Sequence, residues 1–209
     1  MARLFPAVPE ILPLPDGELR LWPDFIAADV AEFLLQSLTR DVRWEQSRIF
    51  IAGQYRAIPR LNAWYGGAGA EYRYSGTQMV RHEWLPMLEE LRRQTADITG
   101  RDFNSALLNL YRDGRDSVDW HSDDEPELGA DPHIATVSLG AERALELRRK
   151  GGGERRRLLL PTGSLLLMNG ALQQAWQHRI AKVTALQAPR ISVTFRTVVP
   201  AVAPHLGEC

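Results

Sequence analysis

The sequence predicts an α+β chain in which helices come first and a jelly-roll β body follows. Three observations carry that expectation. Apolar residues recur at helical spacing in two segments before residue 100. After about Phe103, short β-prone stretches follow one another, broken by Gly, Pro and Asp. No change of composition marks a linker and no internal repeat is apparent, so 1–209 reads as one domain.

The elements follow in order. Up to about Leu21 the chain is Pro-rich and reads as an extended arm. Phe25, Val30, Phe33, Leu34 and Leu38 then set out a first amphipathic helix, starting near Ala28 or Asp29. Arg48 to Arg56 reads as a hairpin turning at Gly53. Trp84, Leu88, Leu91 and Ile98 form the stripe of a second helix from Glu83 to Ile98, with Gly100 as its C-cap. The expected strands of the body are Ala106–Tyr111, Ile134–Leu139, Ala144–Arg148, Leu158–Leu160, Ser164–Met168 and Ile191–Val199.

The bulk numbers limit the function classes. With 209 residues and 44% hydrophobic content, the chain can bury one substantial core. A formal net charge of -1 gives no overall positive field, so any nucleic-acid partner has to be held by a local basic patch. Cys209 is the only cysteine, which excludes an intrachain disulfide framework and fits a reducing, cytoplasmic compartment. The N-terminus lacks a signal peptide, and no apolar run reaches the roughly 20 residues of a membrane span, so no membrane partner is expected.

His121 and Asp123 stand one residue apart, so on an extended segment both side chains point to the same side. A third metal ligand must come from elsewhere in the chain, and His178, after Trp176, is the best candidate. Two imidazoles and one carboxylate occupy one face of an Fe(II) octahedron and leave the opposite positions open. Zinc accepts the same donors and is the rival metal. His82, His133 and His205 have no carboxylate at ligand spacing and read as surface or core histidines.

Downstream, Arg190, Ser192, Thr194 and Arg196 alternate with Ile191, Val193 and Phe195. By the two-residue period of a strand, polar groups face one way and apolar groups the other. A solvated outer face gives the same alternation. Asn109 and Tyr111 alternate in the same manner between apolar neighbours. Arginine, amide and phenol donors on converging strands suit a dicarboxylic co-substrate beside the metal.

These residues together resemble the AlkB family of Fe(II)- and 2-oxoglutarate-dependent dioxygenases, in its nucleic-acid-repair branch. The resemblance spans Ile58 to Val199. It rests on Pro59-Arg60 with Trp64-Tyr65-Gly66, Tyr72-Arg73-Tyr74-Ser75-Gly76, and Asn109 through Gly114. It continues through His121 to Glu125, Ile134 to Gly140, Gly163 to Met168, and Pro189-Arg190 through Arg196. It implies a double-stranded β-helix, a jelly roll with N-terminal helices and a nucleotide-recognition lid at roughly 48–80. It also implies Fe(II) on His121, Asp123 and His178. The distal carboxylate of 2-oxoglutarate would lie on Arg190 and Tyr111, and its metal-proximal end on Asn109 and Arg196, with Thr194 nearby. With O2 the co-substrate would become succinate and CO2, and an N-methyl group would leave as formaldehyde.

The substrates so implied, of the 1-methyladenine and 3-methylcytosine type, are cations near neutral pH. Tyr72 and Tyr74 could stack on an extruded base, and Asp124 and Glu125 could answer its charge. Arg148, Arg149, Lys150, Arg155 and Arg156 flank a Gly-rich turn and are the expected phosphate contacts of a basic, mobile loop. Ile51, in the hairpin, is a candidate wedge at a base step, as in double-strand-specific relatives. The expected partner is alkylated DNA, with RNA as an alternative, and the protein is expected to act as a monomer. Two rivals stay open: a related oxygenase acting on RNA or protein, and a non-catalytic jelly-roll binding module. Asp123→Ala is expected to abolish turnover and leave the fold intact.

Overall fold

The computed structural model describes residues 8–51, 53–70, 73–74, 77–169 and 171–199. Along the chain come β1 (Glu10–Leu14), β2 (Gly17–Trp22), α1 (Ala28–Asp41), β3 (Arg48–Ile51), β4 (Gln54–Ala57), β5 (Leu61–Gly66), β6 (Arg73–Tyr74), β7 (Thr77–Gln78) and β8 (Arg81–His82). Then follow α2 (Pro86–Thr99), β9 (Ser105–Tyr111), β10 (Val118–His121), β11 (Ile134–Gly140), β12 (Arg143–Arg149), β13 (Arg155–Leu160), β14 (Leu165–Met168), α3 (Ala171–Ala175), β15 (Trp176–Ile180) and β16 (Arg190–Arg196). A single 3-10 turn spans Pro126–Leu128.

Two sheets form the body. The major sheet runs β1-β2-β14-β11-β16-β9-β5-β8, and the minor sheet runs β10-β15-β12-β13. This is the double-sheet arrangement expected of a jelly roll. Along β16 and β9 alternate residues go to opposite sides of the major sheet. Ile191, Val193, Phe195, Ala106, Leu108 and Leu110 belong to an apolar cluster that includes α1 and α2 residues. The other side of the same sheet looks toward the minor sheet, and Leu166 of β14 meets Leu145, Leu147 and Ile180 of the minor sheet in a second cluster.

The N-terminal segment differs from the expected arm. From Glu10 it is a hairpin whose second strand pairs with β14, so its extended backbone is part of the major sheet. Pro13 is accommodated because β1 is the edge strand. Helix α1 begins at Ala28 as expected, but it buries Ala31, Leu34, Leu35 and Leu38. Val30 and Phe33 are exposed, so the buried stripe is rotated from the expected one. In α2, Leu88 and Leu91 are buried, and Gly100 caps the helix in the left-handed region at φ 66°. Within the stretch expected as a lid, β3–β4 forms a separate hairpin, whereas β5 pairs with β9 inside the major sheet.

One close approach ties the loop that leads into β10 to the loop that leaves β15. Gly114 and Val183 exchange a backbone hydrogen bond, Val183 N–H to Gly114 C=O at 2.7 Å, and Gly114 N–H reaches Leu186 C=O at 2.9 Å. A Cβ at Gly114 would lie 1.7 Å from the Val183 carbonyl oxygen, so only glycine fits. The buried Arg143 reinforces this clasp by donating to the carbonyls of Asp113, Asp116 and Ala181.

Candidate active site

His121 ends β10 and sits directly opposite His178 of β15 in the antiparallel register. That cross-strand pairing brings the imidazole centroids to 4.3 Å. Asp123 follows in the extended segment after β10, with a carboxylate oxygen 3.8 Å from His178 Nε2. The donor atoms of His121, Asp123 and His178 all lie within 4.8 Å of one another. The sequence-predicted triad is therefore brought together.

The surroundings set its orientation and charge. His121 Nδ1 lies 2.8 Å from the Asp119 carbonyl oxygen, an acceptor that puts the proton on Nδ1 and leaves Nε2 free to ligate. Gln173 Oε1 accepts from Asp123 N–H at 2.9 Å, and Ser122 Oγ donates to Trp176 C=O at 2.9 Å. Both bonds fasten the ligand segment to α3 and the start of β15. Burial pushes the His178 imidazole down to about 3, with His121 adding to the shift and Asp123 opposing it. Burial likewise lowers His121, partly offset by Asp123. Burial alone would raise the Asp123 carboxyl, but the Arg196 guanidinium and the imidazoles outweigh it and hold it below the usual carboxylate range. Two neutral imidazoles and an ionised carboxylate are the protonation states a divalent ion requires.

The arginine-bearing strand is internal. All of β16 is buried, so its polar face is not a solvated one. Arg190, Ser192, Thr194 and Arg196 line the same cavity as the triad, together with Asn109 and Tyr111. Register places Arg190 beside Tyr111 and Ser192 beside Asn109. The Arg190 guanidinium lies 5.3 Å from the Tyr111 ring centre and donates to Ser138 Oγ at 2.9 Å. Its Nε and Nη1 have no hydrogen-bond partner among the described residues. Burial lowers its pKa, the Tyr111 phenol opposing this and Arg143 adding to it. A buried cation with unused donors awaits an anion.

Arg196 sits at the other end of the strand, 2.5 Å from the Asp123 carboxylate, with both side chains buried. Thr194 meets Thr136 Oγ1 at 3.3 Å. Arg60, to which the sequence assigned no role, also lines the cavity. It is buried and donates from Nε to Asn109 Oδ1 at 2.8 Å and from Nη1 to Ser117 C=O at 3.1 Å. That bond fixes the Asn109 amide with its NH2 free for a ligand. The Pro59-Arg60 motif carried the signal. Ser138 and Gln173 were also missed.

Asp124, Glu125 and the basic run do not line this cavity. Asp124 is exposed and pairs with Lys150 at 3.1 Å, and Glu125 is half-buried. Tyr72 lies outside the described residues, as do the side chains of Tyr74 and Ile51. The basic run is a β12–β13 hairpin with its turn at 150–154, so Arg155 and Arg156 belong to a strand and not to a loop. Arg148 stacks 4.5 Å from the Trp120 ring centre and donates to Gln177, Arg149 pairs with Asp16, and Arg156 pairs with Glu154.

Residues 18–196 match the family described as the 2OG-Fe(II) oxygenase superfamily. The chain is 42% identical over 203 residues to the human alpha-ketoglutarate-dependent dioxygenase alkB homolog 3, covering 91% of this chain and 70% of that protein. The chain is an AlkB-family 2OG-Fe(II) oxygenase. It is also 35% identical over 181 residues to the mouse DNA oxidative demethylase ALKBH2, covering 81% of this chain and 76% of that protein. The solved structure titled "The structure of OsALKBH1" superposes with a TM-score of 0.62 at 14% identity, over 89% of this chain and all of that one, and shows the same fold. The family uses Fe(II), 2-oxoglutarate and O2, and the donor set found here fits that ion. No helix among the described residues is long and apolar enough to cross a membrane.

Proposed function

We propose that this AlkB-family enzyme oxidatively demethylates N-alkylated bases of the 1-methyladenine and 3-methylcytosine type in DNA. The carrying observation is that the triad and the unused donors of Arg190 line one buried cavity. The relatives named as DNA oxidative demethylases support the choice of substrate. The net reaction consumes 2-oxoglutarate, O2 and one N-methyl group, and yields succinate, CO2, formaldehyde and the unmethylated base.

His121, Asp123 and His178 would hold the iron, which supplies the oxidising chemistry when bound. Arg190 and Tyr111 bind the distal carboxylate of 2-oxoglutarate, and Ser138 orients the guanidinium. Asn109, held by Arg60, presents its amide to the metal-proximal end, with Thr194 beside it. Arg196 keeps the Asp123 carboxylate ionised and turned toward the metal, and it reaches the same end of the co-substrate. The apolar lining, including Leu107, Leu166 and Met168, excludes water from the cavity. Tyr72 and Tyr74 stack on the extruded base, and Asp124 and Glu125 lend it negative potential. Arg155, exposed on β13 with no side-chain partner among the described residues, is a hairpin cation open to a phosphate; Arg148, Arg149, Lys150 and Arg156 are secondary, and Ile51 supports a duplex. The enzyme acts as a cytoplasmic monomer on DNA, with RNA as the alternative substrate.

The test is anaerobic loading with Fe(II) and 2-oxoglutarate, followed by air and an oligonucleotide carrying 1-methyladenine. Formaldehyde and succinate should rise in step. Succinate without formaldehyde would assign the chain another substrate, and tight oligonucleotide binding without turnover would favour a binding module.

A further inference from the structure

A second cavity, a trough of about 750 Å³, lies between the β3–β4 hairpin and the β10–β15 edge of the minor sheet. His121, Arg60, Val118 and Ile180 line both the trough and the metal cavity, so the trough is the approach to the triad. Four cations line it, and they differ in what already occupies them. Arg60 is turned inward to Asn109 and Ser117. Arg179 is bound to Glu146 at 2.7 Å and stacks on Trp120. Arg56 and Lys182 are exposed and have no partner among the described residues. They come from opposite walls, Arg56 from β4 and Lys182 from the segment just after β15.

We infer that Arg56 and Lys182 form a phosphate clamp that holds a single nucleic-acid strand across the trough, one backbone phosphate at each wall. This rests on the nucleic-acid reading above. Unpaired cations on facing walls of a concave surface concentrate positive potential there. Asp119, two residues before His121, is the acid of the lining and repels phosphate from that side of the trough. The strand is therefore oriented with its backbone at the rim and a base toward the triad. In the β12–β13 hairpin Asp16, Asp124 and Glu154 answer Arg149, Lys150 and Arg156, whereas Arg155 stays available to a further phosphate.

The test is fluorescence anisotropy of the full chain with labelled, unmodified single-stranded DNA and RNA oligonucleotides across a salt series. Each phosphate contact on a single strand contributes a slope of about 0.7 in log K against log salt. R56A/K182A should lower the slope by about 1.4 and weaken binding by roughly tenfold at low salt. R56K/K182R should keep the wild-type slope, and both variants should melt at the wild-type temperature. R149A/K150A should change the slope less than R56A/K182A. Wild-type binding with an unchanged slope in R56A/K182A overturns the clamp alone. A wild-type chain that binds neither oligonucleotide overturns the nucleic-acid reading and the clamp together.

Discussion

Arginine meets two fates in this molecule. On β16 and β12, Arg190, Arg196 and Arg143 are buried to 2% exposure or less. Along the β12–β13 hairpin, Arg149 and Arg156 lie at the surface beside carboxylates of their own chain. A surface pair is worth little and marks nothing in particular. A buried guanidinium is costly unless it is satisfied, so what satisfies it is informative. Arg143 gives both terminal nitrogens to three backbone carbonyls, only its Nε lacking a partner among the described residues, and is structural. Arg196 is answered by a metal ligand. Arg190 meets a serine and a tyrosine ring and keeps two donors, Nε and Nη1, without a partner among the described residues, which is why the co-substrate role is proposed for it. Residue type alone does not separate these roles; the partner does.

Asp123→Ala should abolish metal binding and turnover. It should also destabilise the metal-free chain by about 3–5 kcal/mol, because it strands a buried Arg196. This revises the expectation of an intact fold, and urea unfolding of the metal-free variant checks it. Arg143→Met should cost about 3 kcal/mol by freeing carbonyls of the Gly114–Val183 clasp, measured in the same way.

Acid should act next. The buried His178 stays neutral down to about pH 3, whereas an unfolded histidine protonates near 6.5. The unfolded state therefore binds more protons in that window, and stability present above about pH 6.5 is lost as pH falls. Between pH 6.5 and 5 the loss should be about 2 kcal/mol, and replacing His178 with Phe should flatten the profile. Arg149→Ala should shift stability by less than about 0.5 kcal/mol, the smallest effect in the series.

Much of this was legible in the sequence where local pattern and tertiary role coincide. The alternation of β16 and β9 gave the strands and their polar face, and burial then showed that face to be internal. The spacing of His121 and Asp123 survived because both sit on extended backbone. Strand β1 was hidden by its prolines, which an edge position tolerates. Strand β5 was hidden because burial on both faces removes alternation. In α1 Phe33 and Val30 fit the expected stripe yet remain exposed, while Ala31 and Leu35 are buried. Arg60, Ser138 and Gln173 act on partners 49, 52 and 50 residues away in sequence, where no local spacing can reveal a pairing.

The central claim is that Arg190 is held ready for the co-substrate rather than for the fold. Calorimetric titration of 2-oxoglutarate into the Mn(II)-loaded chain, wild type beside Arg190→Met, tests it directly. Loss of one charged partner should weaken binding by about 2–5 kcal/mol, roughly 30-fold or more, while the ligand-free variant melts at or above the wild-type temperature. Equal affinity in the two proteins, or a variant that unfolds before it can be titrated, would contradict it.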